Sequence, residues 1–151
     1  MALTLAIQGQ SRFDGLPARN TLVRWILAAL ERDGELTVRF VGAAEARKLN
    51  RDFRGKDHAT NVLTFDYQHA PVVLADIVLC VPVVRREARE QGKAFRDHLA
   101  HLVVHGVLHA QGHDHDRAAH AKKMEAREVR VLAELGFGDP YLRGAADGAG
   151  D

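Results

Sequence analysis

The residues best suited to chemistry lie in one run, His105-Gly106-Val107-Leu108-His109-Ala110-Gln111-Gly112-His113-Asp114-His115. Positions four apart on a helix share a face, so the rings of His105 and His109 leave the same side. Gly112 takes positive φ without steric cost, which lets the helix stop and the chain turn back. Beyond that turn, His115 can bring a third imidazole to the point the first two face. Three neutral histidines with one position left open form the ligand set of a catalytic zinc site. A closed structural site would normally draw a fourth protein ligand, usually cysteine, and this chain has only Cys80.

The competing reading is a set of ordinary structural histidines, since the chain carries nine in 151 residues. Three of them at this spacing around a glycine bend are hard to obtain by accident. His98 and His101 precede the run on the same predicted helix, but three ligands and a water already complete a tetrahedron, so neither is expected to bind metal. His113, in the bend, is expected to face solvent.

Zinc lowers the pKa of a bound water to about 7 and polarises a carbonyl or phosphoryl oxygen. What it attacks depends on the neighbouring residues. The metalloprotease helix places Glu directly after its first His as general base. Here that position is Gly106, which argues against peptide hydrolysis. Phosphodiester cleavage instead needs positive groups aimed at a developing phosphorane. Between Glu45 and Lys56 lie Arg47, Lys48, Arg51, Arg54 and Lys56. Arg54 and Lys56 are the best supply, with Arg51 beside them, because a guanidinium can bridge two phosphate oxygens. The same charges would also suit a merely solvated loop. Asp114 either accepts a ring N–H and orients a ligand or caps the turn. Asp76, a lone acid in an apolar strand, is either a partner for a site residue or an edge charge.

The elements that must hold these groups follow from periodicity. Leu3 to Gln8 reads as a short strand, and Pro17 opens a helix to about Arg32 with Leu22, Val23, Ile26, Leu27 and Leu30 on one face. Leu36, Val38 and Phe40 alternate as a half-buried strand. A short helix from Ala43 to about Arg51 follows, then a polar loop through Leu49 to His58. Asn61 to Phe65 and Val72 to Cys80 read as strands whose short connection favours an antiparallel pair. Pro82 opens a helix to about Gln91. Phe95 to Gln111 is a long, largely buried helix carrying the first two histidines. Asp116 can cap a last helix to about Leu135. These elements give a single α+β (mixed α/β) domain over residues 1–143. A mixed sheet of about four strands packs against helices in it, and the metal-binding helix is central and buried. Residues 144–151, rich in Gly, Ala and Asp, read as a disordered tail.

The bulk numbers suit a globular chain: 46% hydrophobic and 27% charged residues, with a net charge of +1 that points to no anionic partner by itself. A single cysteine excludes an internal disulfide, and Cys80 reads as a buried small hydrophobe rather than a reactive thiolate. No export signal is expected from Met1 to Ile7. The longest apolar stretch, residues 70–84, contains Asp76, Pro71 and Pro82 and cannot span a bilayer. A cytoplasmic protein with no membrane partner is expected.

His105 to His115 resembles the H-G-x-L-H-x-x-G-x-D-H signature of the YbeY endoribonuclease family, the bacterial rRNA maturation factors. Leu49-Asn50 through Arg54, followed by Thr60-Asn61-Val62-Leu63-Thr64-Phe65, is similar to a second family block. Ala75-Asp76-Ile77 resembles its G-D-I strand, and Leu135-Gly136 with Pro140-Tyr141 its closing segment. The chain departs from the usual pattern at Ala59, Thr64, Ala75 and Ala110, none of them a metal ligand. The resemblance implies that His105, His109 and His115 bind one zinc ion and that Arg54 is the functionally important arginine. It also implies a metal-dependent endoribonuclease selective for single strands, acting in small-subunit rRNA 3′-end maturation and ribosome quality control. The partners implied are rRNA precursor, the small ribosomal subunit and assembly factors. A ribosome-assembly factor that is not catalytic, with structural or vestigial zinc, is the alternative.

Overall fold

The computed structural model describes residues 1–113 and 117–142. The elements run β1 (Leu3–Gln8), α1 (Arg19–Ala29), β2 (Gly34–Val41), α2 (Ala43–Arg54), β3 (Val62–Gln68), β4 (Val73–Cys80), α3 (Val81–Gln91), α4 (Phe95–Ala110) and α5 (Ala118–Glu134). This is the expected α+β domain with a four-stranded mixed sheet, ordered β1-β2-β4-β3. β1 and β4 both run parallel to β2, while β3 pairs antiparallel with β4, as their short connection requires.

Alternation along the strands divides the interior in two. Leu36, Val38, Phe40, Ala75, Ile77 and Leu79 point to the face covered by α1 and α4. Leu63, Val78 and Cys80 point to the other, smaller face with Ala46 of α2. Trp25, Val38 and Ile77 show no exposed surface, and burying a side chain of that size contributes roughly 1.5–3 kcal/mol. Cys80 is buried, and burial raises its thiol pKa, which fits an inert packing role.

α4 packs against β3, β4, α1, α3 and α5, so it runs through the middle of the larger core. Its close approach to the sheet depends on Gly106. A Cβ there would stand 2.9 Å from Ile77 Cγ2 and 3.4 Å from Thr64 Oγ1. The residue that removes the protease base is thus also the one that lets the helix settle on the strands. At the far end, Gln111 stitches α4 to the end of α1. Its amide donates to Ala29 O at 2.9 Å and Val107 O at 3.1 Å, and its Oε1 accepts from the Glu31 N–H at 2.6 Å.

Several boundaries differ from the sequence reading. α1 starts at Arg19 because Ala18 is still extended, and it ends at Ala29 because Leu30 has left helical geometry. α2 does not stop near Arg51 but continues through Arg54. There Gly55, at φ 71°, supplies the left-handed C-cap and donates to Arg51 O, while Lys56 N–H reaches Asn50 O. The segment read as a polar loop is therefore half helix, and Arg54 sits in a defined last turn. Asp114, His115, the expected cap Asp116 and the tail 144–151 lie outside the described residues. No helix among the described residues is long and apolar enough to cross a membrane.

Candidate metal centre

His98, His101, His105 and His109 form a ladder along α4, with successive ring centroids 6.3, 6.4 and 6.4 Å apart. The i, i+4 spacing places His105 and His109 side by side on one face of the helix, with their ring planes perpendicular. Gly112 turns the chain at φ 99°, and its Cα lies close enough to His69 that a Cβ would stand 3.1 Å from Nδ1 of that ring. The bend expected after the helix is present, and the third expected ligand, His115, falls just beyond the described residues.

Behind the ladder stands a residue the sequence reading missed. Glu128 of α5 has no exposed surface. Its Oε2 accepts from His105 Nδ1 at 2.6 Å and its Oε1 from His101 Nε2 at 2.7 Å, and the Tyr141 hydroxyl donates to Oε1 as well. Burial opposes its ionisation, yet the hydrogen bonds from the two histidines and from the tyrosine outweigh it. They hold the carboxyl down to about 2. The same contact, after desolvation, pushes the Tyr141 hydroxyl far above its ordinary pKa. A signal was there to read. Met124, Glu128, Val131 and Leu132 trace the buried stripe of α5, and one acid interrupts it.

Among the described residues no group of three metal-type ligands is assembled; His105 and His109 are two of the three donors that the expected site requires. A carboxylate on one nitrogen of His105 leaves coordination to the other, which is the usual carboxylate–histidine arrangement around bound zinc. His101, at the right spacing, has its Nε2 committed to Glu128 and Tyr141. His98 is buried and its Nε2 is committed to Glu87 at 2.9 Å. His113 does not simply face solvent: its Nε2 pairs with Glu31 at 3.0 Å, because the bend brings it to the end of α1.

The basic candidates lie across the edge strand β3. Arg54 is exposed and one of its nitrogens donates to Thr64 O at 3.3 Å. Thr64 faces α4, and its hydroxyl lies against Gly106, between the two histidines in sequence. Asp66, two residues along the same face, accepts from His69 at 2.7 Å. Partial burial would raise its pKa, but that bond and the neighbouring His109 hold it below the usual carboxylate range. Arg54 and the histidine-bearing helix thus both contact β3, Arg54 at the Thr64 carbonyl and α4 on the face that carries the Thr64 hydroxyl. Arg51 and Lys56 are also exposed, Arg51 against its neighbour Asp52 at 3.4 Å. Asp76 lies apart from the histidines. Alternation turns it to the α2 face with Val78 and Cys80, where Tyr67 donates to it at 2.9 Å, away from α4.

Comparison with known proteins accords with this geometry. The family model described as endoribonuclease YbeY matches residues 16–136. A protein of Methylibium petroleiphilum named endoribonuclease YbeY is 57% identical over 141 residues, covering 93% of this chain and 94% of its own length. One of the same name from Acidovorax sp. strain JS42 is 61% identical over 124 residues, 82% of each chain. A solution structure of a Thermotoga maritima protein is similar at a TM-score of 0.57 and 26% identity, covering 92% of this chain and 99% of that one. On the family match and these identities, the chain belongs to the endoribonuclease YbeY family.

Proposed function

We propose that the protein is a zinc-dependent endoribonuclease selective for single-stranded RNA, acting in the cytoplasm on the small-subunit rRNA 3′ end and in ribosome quality control. One observation carries the reading. His105 and His109 share a face of a buried helix, with a buried carboxylate fixing His105, in a chain whose relatives are named endoribonucleases. His105, His109 and His115 would hold the zinc, which when bound supplies Lewis acidity and lowers the pKa of water to about 7. The protein's own groups do the rest. Arg54 binds a phosphate oxygen with the donors Thr64 leaves it, and it neutralises charge that grows during cleavage. Lys56 and Arg51 extend the positive approach for the RNA strand. The small ribosomal subunit and its assembly factors are the expected partners.

The test is a metal analysis paired with a cleavage assay on an rRNA 3′-end precursor. His109→Ala is expected to lose both zinc and cleavage, whereas Arg54→Ala keeps the zinc and loses cleavage. Full cleavage by a metal-free preparation purified of trace ribonuclease would overturn the reading. Precursor binding that survives His105→Ala unchanged, in cells that process rRNA normally, would favour an assembly factor without catalysis instead.

A further inference from the structure

We infer that Glu128 is a positioning residue that decides which histidine of the α4 ladder binds metal, by imposing opposite tautomers on His101 and His105. The inference rests on the metal reading above.

A fully buried carboxylate is costly unless its oxygens are met by donors. α5 needs no acid to pack among Met124, Val131 and Leu132, so the three donors converging on Glu128 are what retain it. A neutral imidazole has a single N–H. His105 reaches Oε2 through Nδ1, so its N–H sits on Nδ1 and it coordinates through Nε2. His101 reaches Oε1 through Nε2, so its N–H sits there and only Nδ1 could coordinate. That Nδ1 is buried and meets no hydrogen-bond partner among the described residues. Two rings one turn apart are thus made unequal by one carboxylate. Tyr141, donating to the same oxygen as His101, secures Glu128 from the segment after α5.

The decisive measurement is long-range nitrogen–proton NMR of histidine-labelled, metal-free protein, followed by titration with zinc alone. Wild type is expected to show His105 protonated at Nδ1 and His101 at Nε2. Glu128→Gln offers one acceptor oxygen to two rings, so one tautomer inverts and zinc affinity falls about 10- to 100-fold. Tyr141→Phe is expected to keep both tautomers and to lose less affinity. An Nε2-protonated His105 in wild type, or a folded Glu128→Gln that binds zinc as tightly as wild type, would overturn the inference. Should Glu128→Gln not fold, the wild-type spectrum decides. The tautomers are read without metal or RNA, so the wrong tautomer in a protein that binds zinc overturns the positioning role alone. The expected tautomers in a protein that takes up no zinc would overturn the metal reading and the positioning role, and leave only the hydrogen-bond assignment.

Discussion

On the α4 face of the sheet, Glu128 is wholly buried and holds two histidines at 2.6 and 2.7 Å. Around the end of α2, Arg51, Arg54 and Lys56 are exposed, and the Arg47–Asp57 pair lies open to water. The contrast teaches where rigidity comes from. A buried charge tolerates only a complete set of partners, so its neighbours are fixed in place before any ligand arrives. Exposed charges gain little from one another and can exchange partners for a phosphate at small cost. One side holds geometry; on the proposed function, the other receives a polyanion.

That division can be attacked from either side. The largest effect on stability is expected at the buried face. Gly106→Val drives new carbon into Ile77 and should destabilise the fold by about 1–3 kcal/mol, as overpacking does. At about 2–4 °C per kcal/mol for a chain of this size, thermal unfolding should show a Tm several degrees lower. RNA binding comes next. If the exposed basic groups supply the contacts, affinity should fall linearly on a log–log plot against salt, with a slope of about −0.7 per phosphate contacted. A flat salt response would break the contrast at its polar end.

A smaller effect concerns His98. Burial lowers its pKa below the ordinary imidazole value, against the opposing hydrogen bond to Glu87. The unfolded chain therefore takes up this proton first. The stability His98 contributes is complete above about pH 6.5 and is lost as pH falls through its lower folded value. Urea unfolding at pH 8 and pH 5.5 should show a smaller acid loss in His98→Asn than in wild type. Least of all, Arg47→Ala should leave the Tm unchanged, although Arg47 and Asp57 make two good hydrogen bonds, because both groups are solvated.

The sequence revealed most where the signal was local. The i, i+4 pair His105 and His109, the glycine bend and the apolar period of α4 all depend on residues within one or two turns. The antiparallel β3–β4 pair was legible for the same reason, through its short connection. α2 was cut short because Arg51, Asp52 and Arg54 hide the face traced by Ala46, Leu49, Asn50 and Phe53. Only the cap at Gly55 shows where the helix ends. The parallel pairing of β1 with β2 and of β2 with β4 depends on strands distant in sequence. Glu128 was harder still: its partners stand 27 and 23 residues away. Asp76 stayed open between two roles because a lone acid in an apolar strand says nothing about which face it takes.

The Gln111 stitch has a mechanical outcome for the loop that follows it. The end of α1 offers Ala29 O and Glu31 N–H to Gln111, and Glu31 also meets His113 and Arg127. The last turn of α4, which carries His109, and the start of the bend are thus moored to a helix some eighty positions earlier in the chain. Any strain that prises α1 loose would reach the histidines through that mooring, so stiffness at the centre is borrowed from the opposite end of the polypeptide.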